Sequence, residues 1–185
     1  MANTVIKLSG EKELGIYMHP LRQKILRAMQ IIGEPVTAKQ LADRLCITPS
    51  SAKHHLTRLE SIGIVEKHHT EQIHGITATY YRYLPVTVSI GLNESEFVRE
   101  RNMIAENSLM NVYGGFNKKI EENKGRFSSE RFEGDMLTGV VYLSQKEADE
   151  LHGLIDRFIE EHNVKTAGAL PFEYALVLYN ASEGI

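Results

Sequence analysis

Between residues 17 and 63 the apolar positions recur at helical spacing, three times over and in short blocks. Leu21, Ile25, Leu26 and Met29 mark one face of a helix over Tyr17–Ile32, which Gly33-Glu34-Pro35 ends. Thr37 then stands as an N-cap with Gln40 three residues on, a capping box, and Leu41 and Leu45 continue an apolar face. Cys46-Ile47-Thr48 has room only for a turn. Thr48 caps a further helix with Pro49 at its first position, where the missing N–H costs nothing. That helix is apolar at Ala52, Leu56, Leu59 and Ile62, and Gly63 is placed to end it. The period then changes from helical to extended. Residues 64–69 read as a strand, Gln72-Ile73-His74-Gly75 as a hairpin tip and Ile76–Tyr83 as the return strand. Residues 1–15 read as a polar arm in which Val5-Ile6-Lys7-Leu8 could pair as a strand.

After a linker over 84–92, Asn93 and Glu96 open another capped helix reaching to about Lys124. Val98, Ala105, Leu109, Val112 and Phe116 lie three, four or seven apart on it, which makes a seam for a second helix, the same helix of a second subunit being one choice. Gly114-Gly115 predicts a kink or break there. Leu137–Leu143 reads as a strand, Ser144-Gln145-Lys146-Glu147 as a capping box, and Phe172–Tyr179 as a last strand. The intervening helix turns Ala148, Leu151, Leu154, Ile155, Phe158 and Ile159 to one side. The expected fold class is α+β: an N-terminal winged helix over 1–90, with a three-helix core and a β-hairpin wing, and a small C-terminal α+β domain over 91–185 that contains a long dimerisation helix and is open to an effector role.

Charge sharpens that division. Residues 1–90 hold eleven Lys+Arg against seven Asp+Glu, a net of +4, whereas residues 91–185 hold ten against seventeen, a net of −7. Six of the eight histidines fall in the first part. A polyanion would therefore be met by the first part alone. No run approaches the roughly 18 apolar residues of a membrane helix. The segment MANTVIKLSGEKELG lacks a signal-peptide core, and a single cysteine excludes an internal disulfide framework, so a reducing cytoplasm is expected.

The outer face of the helix at 49–62 carries Ser50, Ser51, Lys53, His54, Thr57 and Arg58, short hydrogen-bonders and cations of the kinds that reach base edges and phosphates. On an isolated helix these residues would be a solvated face. The capped helix before them, the three-residue turn and the hairpin after them favour a DNA reader instead. Lys39, Thr48 and, on the hairpin, Lys67, His68 and His74 complete the candidate DNA contacts; Arg82 could instead pair with an acid of its own domain. His55, beside Leu56 and Leu59, is read as structural.

The series His19-Pro20-Leu21-Arg22-x-x-Ile25-Leu26, Thr37-Ala38-x-x-Leu41-Ala42, Ile47-Thr48-x-x-Ser51-x-x-x-His55-Leu56-x-x-Leu59, Ile62-Gly63-Ile64-Val65 and Tyr80-Tyr81-Arg82 resembles the ArsR-type winged-helix regulators over residues 14–84. The resemblance implies a dimeric, sequence-specific DNA-binding regulator, commonly a repressor, with 49–62 as recognition helix and 66–82 as wing. Metal-sensing members often carry a Cys-x-Cys pair on the helix before the recognition helix. This chain has only Cys46, in the turn, where it is expected to fill a small buried space. His54 and His55 point about 100° apart on a helix, and His68 and His69 are expected on opposite faces of a strand. No metal or cofactor is therefore predicted. No glycine-rich phosphate loop, H-E-x-x-H or nucleophile elbow is present, so no enzyme is predicted either. Two other classes stay open: a winged-helix module that binds protein, and a metal- or redox-responsive switch.

Overall fold

The computed structural model describes residues 4–73, 75–90, 97–122 and 134–182. Strand β1 (Thr4–Leu8) leads into helices α1 (Glu11–Tyr17) and α2 (Pro20–Ile32). The short β2 (Val36–Thr37) precedes α3 (Ala38–Leu45) and α4 (Pro49–Glu60), and β3 (Val65–Ile73), β4 (Ile76–Tyr83) and β5 (Val86–Ile90) follow. Helices α5 (Val98–Glu122) and α6 (Gln145–Glu161) belong to the second half. The predicted helix-turn-helix and hairpin are present, and the capping box of Thr37 with Gln40 forms as read. The cap expected at Asn93 and the tip residue His74 lie outside the described residues.

One correction concerns the arm. It is not merely polar: residues 11–17 form α1, and Tyr17 ends that helix instead of opening the next. The division follows from Pro20. It sits at the first position of α2, where it needs no donor, and His19 Nδ1 caps the helix by accepting from the Leu21 N–H at 3.2 Å.

The core is built where the three helical faces meet the sheet. Ile25, Leu26 and Met29 of α2 pack with Leu41 and Ala42 of α3, with Ala52, Leu56 and Leu59 of α4, and with Val36, Ile64, Val65 and Tyr81. In the sheet, β4 lies between β2 and β3, antiparallel to both. β1 pairs in parallel with β5, Thr4 opposite Val86 through Leu8 opposite Ile90, so the arm is tied to the chain leaving the wing.

Two backbone positions shape the ends of the reader unit. Cys46 takes φ 54° and ψ 46° at the end of α3, a left-handed conformation, with its N–H bonded to Ala42 O. It is exposed, contrary to the buried role expected: it lies in the turn after α3 and not on the buried face of Leu41 and Ala42. Gly63 takes φ 76° where the chain leaves α4 for β3, a conformation costly to any residue with a Cβ.

The second half departs further from expectation. Helix α5 runs unbroken through Gly114-Gly115. Two glycines cost a helix only about 1 kcal/mol each, and Gly115 has a packing use: a Cβ there would lie 2.7 Å from Arg27 Nη2. The Ser144 capping box with Glu147 forms as read and opens α6. The apolar side of α6, however, stays uncovered, and no described residue from 97 to 182 is buried. The stretches 137–143 and 172–179 run without a strand partner among the described residues. The described residues of one chain offer that face no opposing surface.

Replacing Cys46 with glycine should raise unfolding stability by up to about 1 kcal/mol, and Gly63→Ala should lower it by about 1 kcal/mol. Chemical denaturation of both variants checks this; opposite or equal effects would remove the left-handed backbone as the reason for either residue.

Candidate nucleic-acid interface

Helix α4 is held at its start by Thr48, whose Oγ1 accepts from the Ser51 N–H at 3.2 Å. Ala52, His55, Leu56 and Leu59 are buried, which turns the opposite stripe to solvent. Ser50, Lys53, His54, Thr57 and Arg58 are exposed on that stripe and Ser51 is half-buried. The structure thus gathers the recognition-helix candidates on one face. Thr57 Oγ1 donates to Lys53 O at 3.0 Å, which spends its proton on the helix and leaves its oxygen as an acceptor. Lys53 and Arg58 form no ion pair among the described residues.

The flanking candidates are less free. Lys39 Nζ lies 2.8 Å from Asp43 one turn along α3, and Lys67 Nζ lies 3.3 Å from Glu60 at the end of α4. Thr48 is committed to its cap. Arg82 pairs across the ladder with Glu66, Nε to Oε1 at 3.0 Å, the acid of its own domain that the sequence allowed for.

His68 and His69 do not face opposite ways. The ladder register slips between Lys67 and His69, a bulge that leaves His68 without a partner residue on β4. The two imidazoles consequently meet, Nδ1 to Nδ1 at 2.7 Å, and His69 stacks on Tyr80 with centroids 4.4 Å apart. Strict alternation holds only in a regular strand, and the insertion breaks it. No group of three His, Cys, Asp or Glu suited to a metal occurs among the described residues.

Sequence reasoning marked His55 as structural but missed the residue that makes it so. Arg22 is buried on α2 and donates to Ile16 O, to Gly15 O at 3.0 Å and to His55 Nδ1 at 3.4 Å. The available signal was a cation at the head of the Arg22, Ile25, Leu26, Met29 stripe. His19 packs on the other side of His55, ring centroids 4.9 Å apart, and His54 meets it edge-on at 5.4 Å. Burial, followed by His19, Arg22 and His54, pushes the His55 pKa below its ordinary value. Its Nδ1 is thereby an acceptor and its proton sits on Nε2.

The seam expected on α5 lies on open surface. Val98, Ala105 and Leu109 are exposed, and Val112 and Phe116 half-buried. A cavity of about 630 Å³ opens between this helix and the reader unit, with Arg27, Ile31, Arg44, Met110, Gly115 and Lys118 among its lining. Arg27 and Glu173 close one side of it through paired contacts of 2.5 and 2.6 Å. No described helix is long and apolar enough to cross a membrane.

A family model described as a helix-turn-helix domain matches residues 17–68. No curated protein matches the chain. Among solved structures the chain is similar to the adhesin competence repressor of Streptococcus pyogenes, at 14% identity over 84% of this chain and 81% of that one. The TM-score of 0.25 is too low to carry fold or function from one to the other. The matched domain and the polar face of α4 together support a DNA-binding transcription regulator.

Because burial and its cationic neighbours lower the His55 pKa in the folded protein, the unfolded chain takes up this proton first as pH falls through its ordinary value of about 6.5. The contribution is complete above that pH and is lost below it. His55→Asn keeps an acceptor for Arg22 without titrating, so it should lose less stability than the parent between about pH 7 and 5.5. Thermal melts across that range test this; parallel profiles would remove His55 as the source.

Proposed function

We propose that the protein is a cytoplasmic, ArsR-like, sequence-specific transcriptional regulator, a repressor, that binds a pseudo-palindromic operator as a homodimer. The observation that carries the reading is the exposed stripe of α4, capped, oriented by a buried core on its other side and bearing two cations that form no ion pair among the described residues. The first turns of α4 enter the major groove, with Ser50, Ser51, Lys53 and His54 nearest the bases. Thr57 and Arg58 reach backbone or edges further along, Lys39 and Thr48 flank the groove, and Lys67, His68 and His74 bring the wing to phosphates. The helix-turn-helix match and the net positive charge of residues 1–90 support this division of labour, with 91–185 as the dimerisation part and a small-molecule effector left unidentified. Two copies joined along α5 through Val98, Ala105, Leu109, Val112 and Phe116 would set half-sites about 34 Å apart or a multiple of it.

Selection of bound sequences from a random duplex pool, run at two salt concentrations, tests the function. It should enrich an inverted repeat with salt-dependent affinity; weak binding indifferent to sequence would favour a protein-binding winged helix. Lys53→Ala and Arg58→Ala should each lower the salt slope of operator binding by about one. Lys39→Ala and Lys67→Ala should lower it less, since Asp43 and Glu60 already hold those cations. Equal effects at all four positions would show that the intramolecular pairs dissolve on DNA.

Placing a charge in the seam, Leu109→Glu, should shift the protein toward monomer in sedimentation and make operator binding steeper in protein concentration. An unchanged dimer would remove α5 from the interface.

A further inference from the structure

We propose that residues 137–143 and 172–179 of two copies of this chain form one shared four-stranded sheet, covered on one face by the two α6 helices. This goes beyond the α5 seam and rests on the homodimer reading only in requiring a second copy.

The surface area argues for a missing partner. A compact chain of 20.9 kDa exposes about 9,000 Å², whereas this chain exposes 13973 Å². Half of that excess already surpasses the roughly 800 Å² per partner of a standard interface and falls in the range of obligate dimers. The exposed apolar groups are concentrated in the second half. Leu137 is 90% exposed, Tyr142 95% and Tyr179 76%, while Phe158 of α6 is 64% exposed.

The sequence argues for strands. Met136-Leu137-Thr138-Gly139-Val140-Val141-Tyr142-Leu143 and Phe172-Glu173-Tyr174-Ala175-Leu176-Val177-Leu178-Tyr179 are rich in β-branched and aromatic residues, and the second is almost continuously apolar. Neither joins a ladder among the described residues. Peptide groups between such side chains need hydrogen-bond partners once the side chains are covered.

Counting strands selects the occupant. One copy supplies two strands and one amphipathic helix, and a two-stranded sheet is at best marginally stable alone. Two copies supply four strands and two helices, enough for a sheet with a covered face. A two-fold arrangement also closes the assembly at two copies.

The segment is already fastened to the reader unit. Glu173 pairs with Arg27 of α2 at 2.5 Å, and Lys165 pairs with Glu34 just after α2 at 2.5 Å. A shared sheet would thereby fix the distance between the two copies of α2, and through α2 the distance between the two α4 helices.

Hydrogen exchange on the full chain, at concentrations below and above dimer formation, tests the proposal. Amides of 137–143 and 172–179 should become at least about tenfold more protected as the dimer forms. Equal protection in dilute monomer would show that each chain closes on itself; an unprotected pair of segments in the dimer would show that α5 alone joins the copies. Both overturn the shared sheet. A chain that is monomeric at every concentration would overturn both the sheet and the homodimer. If dilution never yields monomer, a dimer reassembled from differently isotope-labelled chains should give contacts between these segments across the two copies, and their absence would overturn the sheet. None of these readouts involves DNA, so sequence-selective binding stands or falls separately.

Discussion

The reader helix keeps its position through a buried cation. Arg22 on α2 reaches back to the carbonyls of Gly15 and Ile16 at the end of α1 and across to His55 on α4. A buried guanidinium is tolerable only when its nitrogens find acceptors, and here each of the three finds one, on two different helices, α1 and α4. The apolar core fixes how deeply α4 packs. The arginine fixes which way it is turned, because its acceptor is a single ring nitrogen at one position of the helix. His19 contributes twice, capping α2 and packing its ring on His55. Neutral His55 is therefore part of the arrangement: a proton on Nδ1 would remove the acceptor and place a second positive charge beside the first.

What the sequence made legible was whatever depends on neighbours in the chain. The capping boxes at Thr37 and Ser144, the proline at the start of α4 and the glycine after it act within one turn, and each formed as read. The same local logic would have found α1, since His19-Pro20 is as good a helix start as Thr48-Pro49; the continuous apolar stripe from Tyr17 hid it. What escaped depends on distant residues. That Gly115 lies beside Arg27 and Glu173, brought from elsewhere in the chain, is announced by nothing near it in sequence. The bulge at His68 is a property of how β3 meets β4, and no rule applied to β3 alone places both imidazoles together. The polar stripe of α4 was legible as a set, whereas the pairing of Lys39 and Lys67 with Asp43 and Glu60, which divides free cations from held ones, was not.

The two halves of the chain differ in kind as well as in charge. Residues 4–90 enclose a core that closes within one chain: every buried side chain lies there. The described residues after 97 are amphipathic in sequence and yet bury nothing. Good capping and good periodicity shape α6 locally, but helix formation by itself adds little stability when no apolar face is covered. Local signals thus shape these elements without a core among the described residues to cover them.

Charge then orders the parts in space. In the proposed complex Lys53 and Arg58 of α4, which form no ion pair among the described residues, would be drawn to a phosphate backbone, while the net of −7 carried by residues 91–185 would be repelled by it. Both forces would turn the molecule the same way, α4 toward the duplex and the second half away. The contacts that bind the second half back to the reader unit, Arg27 with Glu173 and Lys165 with Glu34, join opposite charges across that divide. They lie on and just after α2, the same helix whose Arg22 orients α4 from its other end. A shift of the second half relative to residues 4–90 would thus pass along α2, a helix of thirteen residues, before it reached α4.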